Sequence, residues 1–150
     1  MIYVEAPDPE MTWPILFIAG GITGCADWQN ELINLLDERE LPLIVVNPRR
    51  ENFPMGDQYE GEKQIKWEHK MLAKADIISF WFPKDTLCPI TLFELGKWLH
   101  TEPLIGTEYG YQRAMDVRVQ TQLELGHDYP IYKSLDDLAK AIALKARWGG

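Results

Sequence analysis

Apolar residues along this chain fall in short unbroken runs, separated by stretches in which they recur every three or four positions. The first run, Ile15-Leu16-Phe17-Ile18-Ala19, closes on Gly20-Gly21. A continuous run bounded by glycine suits a strand buried on both faces, as in a parallel sheet covered by helices. From Asp27 the period changes. Trp28, Leu32, Leu35 and Leu36 share one side of a helix that Asp27 can cap and Pro42 limits. Leu43-Ile44-Val45-Val46 forms a second strand ending at Asn47-Pro48, and a polar loop with Pro54, Gly56 and Gly61 leads to a helix carrying Ile65, Trp67, Met71 and Leu72. Asp76 to Phe82 is the third strand, and an apolar helix begins near Thr91. Leu104-Ile105-Gly106 follows as a fourth strand, then a helix from about Met115 to Leu125. Pro130-Ile131-Tyr132 is an edge strand, and Ser134 opens a closing helix with Leu138 and Ile142 turned inward.

Strand alternating with helix means an α/β domain with a parallel sheet. About five strands in this sequence predict a flavodoxin-like three-layer sandwich with strand order 2-1-3-4-5. One domain accounts for residues 1–150, since no repeat, low-complexity tract or linker interrupts the pattern. In such sheets ligands bind outside the carboxyl ends of the strands, where the winding reverses. That rim holds Gly20-Gly21-Ile22-Thr23-Gly24, Asn47, Trp81-Phe82 and the start of the Thr91 helix. Asp76 opens its strand and falls at the opposite end, unless the strand is short or bent.

Composition narrows the partners. A hydrophobic share of 46% and a charged share of 25% are those of a soluble globular protein. The net charge of -8 repels polyphosphate, so nucleic-acid polymers and anionic membranes are not expected partners. A small anionic ligand stays compatible, because backbone amides at a loop or helix start override the global field locally. Cys25 and Cys88 lack metal-ligand spacing and read as reduced thiols, which points to the cytoplasm. No basic segment precedes the first apolar run, so no secretion signal is expected. His69, His100 and His127 have no paired spacing for zinc, and no cofactor is called for. Six tryptophans exceed the needs of a small core, which places some of them at a pocket or an interface.

The chemistry concentrates between Asp76 and Gly96. Glu94 stands in an apolar stretch with Leu92, Phe93 and Leu95, where poor solvation raises a carboxyl pKa. Thr91-Leu92-Phe93-Glu94 equally fits a capping box, with Glu94 doing no more than reaching back to the Thr91 amide. Spacing leaves both readings open. Arg49 and Arg50 follow Asn47-Pro48 and are placed to hold a phosphate, or else are solvated. Trp81 is placed to stack on a base, or else to fill the core.

Phe17-Ile18-Ala19-Gly20-Gly21, Trp67-Glu68, Asp76-Ile77-Ile78-Ser79-Phe80-Trp81-Phe82 and Thr91-Leu92-Phe93-Glu94-Leu95-Gly96 together resemble the nucleoside 2-deoxyribosyltransferases, most closely their short phage and bacterial branch. The resemblance runs from about Ile15 to the last helix. It implies a flavodoxin-like fold, a homodimer or higher homo-oligomer, and cleavage of N-glycosidic bonds in 2-deoxyribonucleosides or their 5-phosphates without a cofactor. Glu94 matches the nucleophile of the Glu-Leu-Gly motif and Asp76 the acid that handles the leaving base. Gly20 and Gly21 match the loop beside the sugar; with Ile22, Asn47, Arg49, Trp81 and Thr91 they form the expected substrate-binding set. Two positions depart from the pattern. Phe17 stands where the best-known members carry a tyrosine, and Cys88 where they carry a second acid. The alternative function on the same fold is a non-catalytic module that binds a nucleotide or a nucleotide-derived signal.

Overall fold

The computed structural model describes residues 2–4, 13–49 and 58–148. Pro54, Gly56 and Arg50 lie outside the described residues. In chain order the elements are β1 (Ile2–Val4), β2 (Ile15–Gly20), α1 (Trp28–Asp37), β3 (Ile44–Val46), α2 (Gln58–Lys74) and β4 (Ile77–Phe82). They continue with α3 (Pro89–Trp98), a single 3-10 turn at Leu99–Thr101, β5 (Leu104–Thr107), α4 (Ala114–Leu125), β6 (Ile131–Tyr132) and α5 (Leu135–Trp148).

All pairings are parallel, and the order is β1-β3-β2-β4-β5-β6. Its last five strands are the expected 2-1-3-4-5 winding of a flavodoxin-like sandwich. The sixth, β1, extends the sheet beyond β3, with Ile2 opposite Ile44. Three apolar residues ahead of an acidic, proline-containing stretch carry no period of their own, so this strand is invisible until β3 offers its edge.

Alternating side chains build two cores. On one face Leu16, Ile18, Val45, Ile77 and Trp81 meet Trp28, Leu32 and Leu36 of α1 and Leu138 and Ile142 of α5. On the other, Phe17, Ala19, Val46, Ile78, Phe80 and Phe82 meet Met71 and Leu72 of α2, Leu95 of α3 and Val117 of α4. Every residue of β4 is buried, as its unbroken apolar run requires. The tryptophans divide accordingly: Trp28 and Trp81 are core, whereas Trp67 and Trp98 are half-buried against the second core.

Two helix starts differ in kind. Asp27 caps α1 as expected, its carboxylate accepting from the Asn30 N–H at 3.1 Å. The α3 helix begins earlier than the Thr91 reading has it, with Pro89 in the first turn and Cys88 at the cap position. Gly61, expected in a loop, likewise falls inside α2, and Ile65 on that helix is 65% exposed.

Candidate active site

At the carboxyl end of the sheet, β2 hands over to a loop that must pass tightly between its neighbours. A side chain at Gly20 would place its Cβ 2.2 Å from Cζ2 of Trp28 and 2.4 Å from the Trp81 carbonyl oxygen. A Cβ at Gly21 would lie 2.8 Å from the Cys88 sulfur. Only glycine fits at either position. The loop and the start of α3 then face each other across a cleft of about 300 Å³, walled by Ala19, Gly20, Gly21, Ile22, Thr23, Pro48, Thr86, Cys88, Pro89, Ile90 and Thr91. Among the described residues two carboxylates enter it, Glu94 from the second turn of α3 and Glu68 from α2.

Both acids are half-buried, and burial raises both pKa values. Glu94 is pushed up to about 7, by desolvation first and by the charge of Glu68 second, with the Lys97 ammonium pulling the other way. Glu68 is pushed up to about 6 by desolvation, against a hydrogen bond from Gln64. Glu68 therefore ionises first, and its charge helps to keep a proton on Glu94. Near neutral pH the pair holds about one proton, the state needed for one group to donate while the other attacks. Lys97 itself lies 3.1 Å from Nδ1 of His69, next in sequence to Glu68.

Cys88 closes the floor. It is 4% exposed, adopts a left-handed conformation (φ 53°, ψ 54°) and directly precedes Pro89, a position where helical backbone is disfavoured. Burial pushes its thiol up to about 11, partly offset by the Gly21 N–H that donates to the sulfur. This thiol is a neutral wall, not a nucleophile.

The sequence model of a family described as nucleoside 2-deoxyribosyltransferase like matches residues 13–111, which span β2 to the segment after β5 and include the whole cleft. The chain belongs to this family. No curated protein matches the sequence. Among solved structures, a conserved protein from Enterococcus faecalis V583 superposes with a TM-score of 0.54 at 14% identity, covering 91% of this chain and 99% of that one, a likeness of fold.

As a member of the 2-deoxyribosyltransferase-like family, the protein brings only part of the expected set together. Gly20, Gly21, Ile22, Thr91 and Glu94 all line the cleft. Four others do not. Asp76 sits at the opposite end of the sheet, where its carboxylate accepts from the Ile15 N–H at 2.8 Å and its own N–H donates to the Ile15 carbonyl at 2.9 Å. The length of β4, about 20 Å of extended chain, separates it from the rim. Trp81 projects into the α1/α5 core, 4% exposed, over the space left by Gly106. Asn47 turns its own chain, its side-chain oxygen accepting from the Arg49 N–H at 3.0 Å. Arg49 points behind the loop. Its terminal nitrogens donate to the carbonyls of Ala26 (2.8 Å), Cys25 (3.0 Å) and Ile22 (3.3 Å) and to Oε1 of Gln29 (2.9 Å), which leaves no terminal N–H for a phosphate.

Glu94 itself is not the capping residue of the capping-box reading, because α3 starts at Pro89 and no side chain caps it. Nor is Phe93 part of its apolar wall, being 72% exposed; the wall is across the cleft, at Ala19, Ile22 and Pro48. Glu68 was legible in the family motif Trp67-Glu68 without a role attached to it. It follows an exposed, charged stretch of α2, and only the packing of that helix beside β2 turns it toward Glu94.

Proposed function

We propose that the protein cleaves the N-glycosidic bond of 2-deoxyribonucleosides or their 5-phosphates by double displacement, with Glu94 as nucleophile and Glu68 as the acid and base. Family membership supports a deoxyribosyltransferase-like role in general. The observation that carries the finer reading is the meeting of two desolvated carboxylates across a cleft of about 300 Å³ at the switch point of the sheet.

The predominant one-proton form carries the proton on Glu94, the weaker acid; the reactive form is the minor arrangement, with the proton on Glu68 and the charge on Glu94. A carboxylate oxygen of Glu94 attacks C1 of the sugar as the C1–N bond breaks, and the base departs with the bonding electron pair and takes the Glu68 proton. A 2-deoxy sugar lacks the electron-withdrawing hydroxyl beside C1, so positive charge develops there at lower cost. Glu68, now ionised, accepts the proton of an incoming base or water. That acceptor displaces Glu94, and two inversions give net retention. With a second base the protein is a transferase, and with water a hydrolase. Asp76 has no part in this scheme, and Glu68 takes the role expected of it.

The alternative, a binding module without turnover, draws on Phe17 and Cys88, which replace a hydroxyl and an acid of the better-known members with an apolar ring and a neutral thiol. Incubation with 2-deoxynucleosides and their 5-phosphates, with and without a free acceptor base, followed by chromatography, separates the two. Release or exchange of base supports the enzyme, and retention of intact ligand with measurable binding supports the module.

A further inference from the structure

Arg49, released from the role of phosphate ligand, sits in a hydrogen-bond network that the proposed chemistry does not use. Beyond its contacts with Ile22, Cys25, Ala26 and Gln29, the network continues through Gln29, a fully buried glutamine whose Nε2 donates to the Gly21 carbonyl at 3.1 Å. The Trp28 indole N–H donates to that same carbonyl at 2.8 Å. Apart from the Arg49–Gln29 side-chain bond, each of these bonds takes hold of a carbonyl of the β2–α1 loop.

The consequence follows from the planarity of the peptide. A carbonyl and the N–H of the next residue share one rigid trans unit and point in opposite directions. Fixing the Gly21 and Ile22 carbonyls on the Arg49 side therefore turns the N–H groups of Ile22 and Thr23 to the other side. Ile22 and Thr23 line the cleft, and their N–H groups have no hydrogen-bond partner among the described residues.

We infer that Arg49, acting through Gln29 and the loop carbonyls, is a positioning residue that presents the Ile22 and Thr23 amides to an acceptor oxygen of the substrate. This rests on the cleft being the substrate site, as proposed above. A guanidinium suits the task because its planar fork offers four terminal N–H groups in fixed directions, which an ammonium cannot match. Asp27 stands 3.8 Å from the guanidinium and balances part of its charge.

Arg49→Lys and Arg49→Met test this by two readouts. Backbone order parameters from nitrogen relaxation require no substrate. Residues 21–26 should be as rigid as the core in the parent, about 0.85, and fall below about 0.6 in both variants, while β2 and β4 stay rigid. Kinetics on 2-deoxyadenosine and on its 5-phosphate should show KM raised about tenfold or more for both substrates, with kcat changed much less. A KM defect confined to the phosphorylated substrate would make Arg49 a direct ligand and overturn the inference. Unchanged order parameters at 21–26, or a loosening spread over the whole sheet, would overturn it as well. Should Arg49→Met not fold, Arg49→Lys carries both measurements. Should the parent turn over none of the 2-deoxynucleosides or their 5-phosphates, with or without an acceptor base, the proposed function fails, while the relaxation data still decide whether Arg49 holds the loop.

Discussion

Glu94 is the residue on which most depends, and its protonation has a consequence for stability that its chemistry does not share. Its carboxyl is raised from an ordinary 4.5 to about 7 in the folded protein, chiefly by burial. A raised folded-state pKa contributes stability that is complete below the unfolded value and is lost as pH climbs through the folded one. Wild-type stability should thus fall between about pH 4.5 and 7 on account of this group. Glu94→Gln removes that loss. We expect it to melt like the parent at about pH 4 and to be more stable by about 1–2 kcal/mol at about pH 8, less than the full shift implies because part of the carboxyl is solvated. The same variant should lose turnover by several orders of magnitude, since an amide does not attack the sugar. Thermal melts at the two pH values, beside a base-release assay, check both halves. The pair also sets the pH profile. Because reaction needs one proton shared between Glu68 and Glu94, kcat/KM should be bell-shaped with limbs near the two values of about 6 and 7. Glu68→Gln should abolish the alkaline limb and leave a single acid limb, that of Glu94 alone, below its value of about 7 in the parent because the like charge beside it is gone.

Elements explain why some residues were legible in the sequence and others were not. The strand runs at Ile15, Ile44 and Ile77 and the amphipathic stripe after Asp27 are local signals, and the structure reproduces them to within a residue or two. The start of α3 was misplaced because two start signals compete there. Thr91 and Glu94 have capping-box spacing, but Pro89 suits the first turn and the chain enters through a left-handed Cys88. The direction in which Arg49, Asn47 and Trp81 point was not legible at all. Each sits at the expected rim, yet facing depends on strand alternation and on partners far away in sequence. Asp76 is the clearest case: an acid at the head of a motif strand whose bonds run to Ile15, 61 residues away. Asp76→Ala should therefore lower stability by about 1 kcal/mol, through loss of the solvent-exposed bond from the Ile15 N–H to the carboxylate, and leave the turnover of folded protein unchanged. Denaturant unfolding together with kcat on the same preparation decides this. A large drop in kcat at full stability would restore Asp76 to the chemistry.

At the scale of the whole molecule, the five-strand winding was readable from alternation alone, whereas β1 needed a partner edge to exist. Among the described residues no helix is long and apolar enough to cross a membrane. Ile90, which lines the cleft, is 67% exposed, Phe93 of the same helix is 72% exposed, and α4 exposes Met115 and Leu123 to 70% and 77%. We expect these surfaces to be covered by self-association, at least to a dimer. Light scattering that shows a strict monomer at micromolar concentration would contradict this. Specificity should follow the mechanism, with 2-deoxynucleosides cleaved much faster than ribonucleosides. The most direct test of the account is to quench the protein in acid during turnover of a 2-deoxynucleoside and map the product by peptide mass spectrometry. A deoxyribosyl ester on the peptide that contains Glu94, absent from Glu94→Gln, is the predicted result. Base release at full rate by Glu94→Gln, or an ester mapped to any other carboxylate, would contradict it.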